Sequence, residues 1–263
     1  MSTGTNETDG TILVTLSRGS GAPAGDLVPR AVTTQAGRRL GGVGRVTCFL
    51  DGGGPRYTTV LRTLARQGRR VVVVPLTLTT DPELGEYAAA GARLPGLGPD
   101  TVRVTPGIGP HPLLAEAASR QLVAAGARSA DAVVLVGAGH GAATTESELQ
   151  RAAELLHARR RHAVVRPAGV TGTGAPVAET VAELRAQGLR VAVAPYLLGS
   201  GPHANRASAL ARASGADVLA DVLGPHRLVV ELVARRYLGA VGRATARSAA
   251  RGTGRAAARR PAA

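Results

Sequence analysis

The sequence contains no lysine and no tryptophan, and among its 263 residues there are one cysteine, one phenylalanine and four tyrosines. Each scarcity excludes something. Without lysine there is no Walker phosphate loop and no Schiff-base chemistry, since both need an amine at a fixed place. Cys48 alone forms neither an intramolecular disulfide nor a cysteine-based metal cluster. Aromatic residues at 2% give few platforms on which nucleic-acid bases could stack. The start, "MSTGTNETDG", lacks the charged and apolar regions of a secretory signal, and no apolar run reaches membrane-spanning length. A soluble cytoplasmic protein with no membrane partner is therefore expected.

What is abundant is arginine. It supplies all 32 basic residues and a formal net charge of +14, which suggests an anionic partner. Six of those arginines fall in residues 241–263, "VGRATARSAARGTGRAAARRPAA", leaving +8 on the body. An Ala/Arg/Gly stretch of this kind has little to bury and is expected to be disordered, as is the segment 1–10. With stacking groups so few, nucleic acid is not the expected partner.

The chain repeats itself. "RTLARQGRRVVVVPLTL" (62–78) aligns without gaps at an offset of 120 with "AELRAQGLRVAVAPYLL" (182–198), sharing Leu64/Leu184, Gln67/Gln187, Gly68/Gly188, Arg70/Arg190, Val71/Val191, Val73/Val193, Pro75/Pro195 and Leu78/Leu198. "GIGPHPLLAEA" (107–117) echoes "VLGPHRLVVEL" (222–232) at an offset of 115. Two copies of one domain, 11–128 and 129–240, follow from this. The second copy reads as strands over 132–137, 163–166, 190–198 and 216–222. Its helices are expected over 145–160, 176–187, 204–213 and 226–238, the first opened by a capping box of Thr145 and Glu148. The first copy reads as strands near 11–16, 45–50, 70–78 and 101–105, with helices between, the earliest around 26–39 despite Pro29. Alternating elements predict an α/β fold of two similar doubly wound parallel-sheet lobes.

Of six histidines, His157 and His162 lie in "HARRRH" and read as solvated surface. His140, His203 and His226 each follow a strand of the second copy, and His111 holds in the first copy the place of His226. Ligands of open parallel sheets bind beyond the carboxyl ends of the strands, so these histidines are candidates to converge. The alternative for His111 and His226 is a Gly-Pro-His turn that caps a helix. The alternative for His140 is a dinucleotide loop, Gly137-x-Gly139-x-x-Ala142, with Arg166 suited to a 2′-phosphate.

Taken together, "GAGHGAA", "LRAQG", the strand ending in Pro195, "GSGPH" and "LGPH" resemble the class II chelatases, above all the CbiX-like sirohydrochlorin cobaltochelatases and ferrochelatases. The resemblance runs from about Thr11 to Gly239. It implies a metal chelatase inserting Fe²⁺ or Co²⁺ into sirohydrochlorin, in sirohaem or cobalamin synthesis. No organic cofactor is implied, the divalent metal being a substrate, and the partners are that ion and the tetrapyrrole. The family's two histidines, which hold metal and take protons, correspond to His140 and His203. Imidazole suits both borderline metals and proton transfer near neutrality. Arg18 and Arg206 are then candidates to clamp substrate carboxylates, and Glu83 a further proton acceptor or metal-approach ligand. The chain departs from the pattern in "GHGAATTE", where the family has serine and a charged pair. It departs again in "LSRGSGAP", which puts Arg18 where the first lobe's histidine would be, and in "LTLTTDPEL", which puts Glu83 near the place of the second. Two-lobed members are expected to carry the pair in the first lobe. A monomer is expected, with a homodimer the alternative. Two other functions stay open: a non-catalytic metal- or tetrapyrrole-binding protein, and an NADP-dependent oxidoreductase.

Overall fold

The computed structural model describes residues 10–19, 25–51, 53–139, 143–171 and 175–257, apart from the side chains of 143 and 244–257. Two four-stranded parallel sheets form two lobes. In the first, β1 (Ile12–Ser17), β2 (Arg45–Phe49), β3 (Val71–Pro75) and β4 (Val102–Val104) run in the order β2-β1-β3-β4. In the second, β5 (Ala132–Gly137), β6 (Val165–Gly169), β7 (Val191–Pro195) and β8 (Val218–Leu219) repeat it as β6-β5-β7-β8. The central strands are valine runs buried at every position rather than alternating, because helices cover both faces of a parallel sheet.

The repeat is exact in register. Ile12 pairs with Val71 and Ala132 with Val191, both shifted by 120. Val72 pairs with Arg103 and Ala192 with Val218, so the offset has become 115 by the last strand of each lobe. Residues are therefore lost in the second lobe between β7 and β8.

The helices of the first lobe are α1 (Leu27–Arg39), α2 (Tyr57–Arg66), α3 (Pro82–Ala92) and α4 (Pro112–Ala124). Those of the second are α5 (Ala143–His157), α6 (Val177–Ala186), α7 (Pro202–Ala213) and α8 (Arg227–Ala257). Pro29 is the third residue of α1, where a helix has no intrahelical use for the N–H, so it does not interrupt. The last helix of each lobe crosses to the other. On α8, the Tyr237 hydroxyl donates to the Thr11 carbonyl at 2.8 Å, and the Ala240 carbonyl accepts from Arg103 Nη1 at 3.0 Å. From α4, Gln121 donates to the Val222 carbonyl at 2.9 Å. One apolar core thus joins the lobes through α1, α4, α5 and α8, with Val32, Leu114, Leu156 and Val233 all fully buried in it.

Three sequence expectations need correction. β6 spans 165–169 rather than 163–166; it is an edge strand that includes Pro167, a residue such strands tolerate and a periodicity reading discounts. β3 and β7 stop at Pro75 and Pro195, and the apolar residues after them turn into the space between the lobes. The expected disordered tail is helical as far as Ala257. Alanine and arginine are strong helix formers, and elongating a helix already nucleated in the core costs little. Of the expected disordered start, all but Gly10 lies outside the described residues.

Candidate functional site

The carboxyl ends of β1, β3, β5 and β7 meet at a cleft of about 190 Å³ between the lobes. Arg18 and the loop 76–79 line one side, and Ala138 and the loop 196–201 the other. His203, on the first turn of α7, joins them. Each lobe's loop is pinned on the other lobe. The backbone N–H of Thr80 donates to Glu148 on α5, its hydroxyl donates to the same carboxylate at 2.9 Å, and Thr145 Oγ1 donates to the Thr80 carbonyl at 3.1 Å. Thr145 and Glu148 therefore do not form the expected capping box; they clamp the lobes together. At the matching place in the other direction, a Cβ on Gly199 would stand 3.2 Å from Val28 Cβ and 3.6 Å from the Gly25 carbonyl, so the glycine lets that loop close onto the start of α1.

Both loops that leave the first strands turn on a glycine. Gly19 (φ +88°) and Gly139 (φ +72°) pack so tightly that a Cβ would lie 2.0 Å from the Asp51 carbonyl oxygen and 1.8 Å from that of Thr171. Their equivalence fixes the alignment of what surrounds them: Arg18 matches Ala138, and Ser20 matches His140. Arg18 is thus not at the position of the histidine, as the sequence suggested. Ser20 and His140 themselves lie outside the described residues.

Arg18 is committed within its own lobe. Nε and Nη2 form a bidentate pair with Asp81 at 2.8 and 2.7 Å, Nη1 donates to Glu83 at 2.9 Å, and Asp51 lies 3.6 Å from Nη1. The hydrogen bond from Arg18 to Asp81, with Glu83's added, raises the guanidinium pKa above its ordinary range despite partial desolvation. Asp81 also caps α3 by accepting from Leu84 N at 3.1 Å. The expected substrate clamp is therefore an anchor for three carboxylates. Glu83 and His203 occupy the same place in the two lobes, each following the proline that opens its helix, and both line a recess shared with Arg18 and Asp81. Carboxylates outnumber the guanidinium there, which favours a cation beside His203 over an anion. Arg206 is exposed on α7 and outside the cleft lining. Among the described residues no group of three or more His, Cys, Asp or Glu side chains is placed to hold a metal.

The other histidines resolve simply. His111 Nδ1 accepts from Leu113 N and His226 Nδ1 from Leu228 N, each at 3.1 Å, so both are helix caps, as their Gly-Pro-His settings allow. Burial, then Arg236 and Arg235, lowers the His111 pKa; burial, then Arg120 and Arg227, lowers that of His226, opposed by Glu116. His157 Nδ1 contacts the Ala163 carbonyl at 3.0 Å, so it tethers the end of α5 rather than being simply solvated. The dinucleotide alternative loses its support. Arg166 is the second residue of β6, exposed and well short of the strand's carboxyl end, and Gly139 is required by Thr171, not by a pyrophosphate.

Sequence reasoning missed Asp51, Asp81 and Tyr196. Tyr196 lines the cleft with 3% exposure, and its buried hydroxyl has no hydrogen-bond partner among the described residues. Burial, with Glu148 nearby, raises its pKa and keeps it a phenol.

Two parallel-sheet lobes sharing a helical layer and facing one another across a cleft define a bilobal α/β protein. Among solved structures, the chain is similar to SirB from Bacillus subtilis with Fe3+ (21% identity, 88% of this chain and 95% of that one, TM-score 0.76). It is also similar to the sirohydrochlorin chelatase SirB from Bacillus subtilis subspecies spizizenii in complex with cobalt (19%, 88% and 95%, TM-score 0.70). A third is DR2241 from Deinococcus radiodurans, a multi-domain protein with structural similarity to chelatases (23%, 86% and 54%, TM-score 0.66). No curated protein matches. The CbiX family model matches residues 12–125 and again 132–240, one match in each lobe, and the chain belongs to the CbiX family.

Proposed function

We propose that this protein is a chelatase that inserts Fe²⁺ or Co²⁺ into sirohydrochlorin. The observation that carries the reading is His203 at the edge of an interlobe cleft, facing carboxylates that Arg18 holds in place, in a chain whose two lobes both match CbiX. The similarity to SirB structures holding Fe3+ or cobalt supports it.

Insertion takes a divalent ion from the protein and exchanges it for two pyrrolic protons. His203 and His140 are the proposed metal ligands, and each imidazole, once the ion leaves, is free to take a proton. Glu83 and Asp51 add negative charge that draws the cation in. Arg18 positions Asp81 and Glu83, and Arg206, exposed on α7 one turn after His203, is the proposed partner for a peripheral carboxylate of the substrate. The cleft is smaller than the roughly 300–1,000 Å³ typical of small-molecule pockets, so the macrocycle enters by an edge and spans the mouth. The metal is consumed rather than resident, and no organic cofactor is invoked. Because the two lobes already pair within one chain, we propose a monomer. No helix among the described residues is long and apolar enough to cross a membrane, and we place the protein in the cytoplasm.

Anaerobic insertion assays with sirohydrochlorin and either ion test the reading. Turnover by the wild type, abolished in His203→Ala and His140→Ala, is expected. A wild type that binds the tetrapyrrole stoichiometrically and never turns over marks a carrier instead, a reading that Arg18's full commitment to its own lobe favours.

A further inference from the structure

Beyond the end of its edge strand the first lobe is closed and the second is open. Strand register matches Phe49, opposite Ser17, to Gly169, opposite Gly137. In the first lobe the Phe49 ring is 4% exposed and fills the ground beyond β2. Arg30 lies across it with the guanidinium carbon 5.0 Å from the ring centroid, and Arg30 Nη2 donates to the Gly53 carbonyl at 2.9 Å. In the second lobe position 169 has no side chain, and Gln150 replaces Arg30 at the matching point of α5. A cavity of about 420 Å³ is left, lined by Gly139, Leu149, Pro167 and Gly169 among others. Its polar lining is almost wholly made of acceptors. Ser147 Oγ donates to the Thr144 carbonyl at 2.9 Å, Thr145 Oγ1 to the Thr80 carbonyl at 3.1 Å, and Thr171 Oγ1 to the Ala138 carbonyl at 2.9 Å. With its one proton committed to a backbone carbonyl, each hydroxyl is left with acceptor lone pairs. Glu146 adds a carboxylate, one turn before Gln150 on the same face of α5, and the Gln150 amide is the one side-chain donor still available. Among the described lining residues there is no arginine, in a chain with 32 basic residues.

We propose that this cavity is the entry vestibule of the divalent metal ion, which passes through it as a hydrated cation on its way to the second lobe. The inference rests on the chelatase reading and deepens it by giving the two substrates separate ways in. Ala138 lines the interlobe cleft and Gly139 the cavity, so the segment leading to residue 140 divides the two. A macrocycle spanning the mouth of the cleft bars that way to an ion, and a second door is needed once the tetrapyrrole is bound. The chemistry of the cavity suits the ion. Acceptor lone pairs and a carboxylate attract a cation and the protons of its water shell, and they repel the acid groups of the macrocycle. A divalent ion with six waters occupies about 180 Å³, at roughly 30 Å³ a water, which the cavity accommodates. A single carboxylate also fits a passage better than a seat, since it raises the local cation concentration without a ligand set that would retain the ion. The first lobe shows the contrary arrangement. Its counterpart is plugged by Phe49 and covered by the positive charge of Arg30, and it has Ser20 and Glu83 where the second lobe has His140 and His203. The open door and the imidazoles belong to the same lobe.

The test is the rate of Co²⁺ uptake, followed by stopped-flow absorbance of the bound ion, in the wild type, Glu146→Gln, Gln150→Trp and Arg30→Gln. Uptake is measured both without tetrapyrrole and after saturation with metal-free sirohydrochlorin. Glu146 and Gln150 are exposed positions on α5, so both variants are expected to fold. Glu146→Gln removes the charge and is expected to slow uptake by about tenfold at low ionic strength, the difference shrinking as salt is raised. Gln150→Trp obstructs the mouth and is expected to slow uptake at any salt. Both should keep the wild-type equilibrium affinity for Co²⁺ and for sirohydrochlorin, because a passage changes entry and exit alike. Arg30→Gln, in the plugged lobe, is expected to behave as the wild type. With sirohydrochlorin bound first, the wild type should still take up the ion. Variants with wild-type uptake rates overturn the vestibule, as does a wild type whose uptake is blocked by bound tetrapyrrole. A Glu146→Gln variant that loses equilibrium Co²⁺ affinity in step with its rate also overturns it, by making Glu146 a resident ligand. Uptake slowed in both variants, in a wild type that never metallates sirohydrochlorin, upholds the passage and overturns the chelatase reading alone.

Discussion

Replacing Glu148 with alanine should loosen the junction of the lobes by a calculable amount. The carboxylate accepts two hydrogen bonds from Thr80, one from the backbone and one from the hydroxyl at 2.9 Å. Hydrogen bonds to charged groups contribute about 1.5–3 kcal/mol each, and the lower end of that range applies at a half-buried rim, so the pair is worth about 3 kcal/mol. For a chain of this size that is a fall in Tm of roughly 6–12 °C. The assay is calorimetric or circular-dichroism melting at neutral pH, with urea titration for the free energy. Thr145→Val removes the third bond of the clamp, at 3.1 Å to the Thr80 carbonyl, and shares its partner. The double variant should therefore deviate from additivity by more than about 0.5 kcal/mol. Glu148→Gln, able to keep part of the geometry, should fall between. An alanine variant that melts with the wild type, or a double variant that is strictly additive, would refute the interlobe clamp.

Two further outcomes follow from buried polar groups. The capping Nδ1 atoms of His111 and His226 accept hydrogen bonds, and burial followed by nearby arginines lowers both pKa values. The unfolded chain, with imidazoles near 6.5, then binds protons before the folded one does, so stability is held above about pH 6.5 and lost as pH falls. Urea unfolding from pH 7.5 to 5 should show that decline, shallower in His111→Asn, which keeps the cap and removes the titration; equal slopes would refute it. Tyr196→Phe deletes a hydroxyl that has no partner among the described residues and costs about 1–3 kcal/mol where it is buried, so the variant should be as stable as the wild type or more so. A fall in Tm would mean the hydroxyl is bonded after all.

Most of the fold was legible because the repeat was. An ungapped offset of 120 is also the offset of the strand register, since parallel pairing leaves little room for a slip once both faces are buried. β6 was misplaced because an edge strand has no apolar run to advertise it. Thr145 and Glu148 had the spacing of a capping box, but spacing cannot say that Thr80 of the other lobe competes for the same atoms. Arg18 and its acidic neighbours come from the segments after three different strands, β1, β2 and β3, and only folding brings Asp51, Asp81 and Glu83 to one guanidinium. The contrast of Phe49 with Gly169 was present in the sequence. Carrying the offset back from 62 to β2 would have exposed it, although not that an arginine lies across the ring.

The exchange of α4 and α8 has a consequence for how such a chain can diverge. Cut between residues 125 and 132, each half would expose the apolar stripe on which the other's last helix now lies, so neither piece is a self-sufficient unit. The natural fate of an isolated half is to find a twin, and a symmetric twin must spell every ligand twice. Fusion lifts that obligation. With both copies on one string, one is at liberty to fill its pocket with its own phenylalanine while the other keeps the doorway clear.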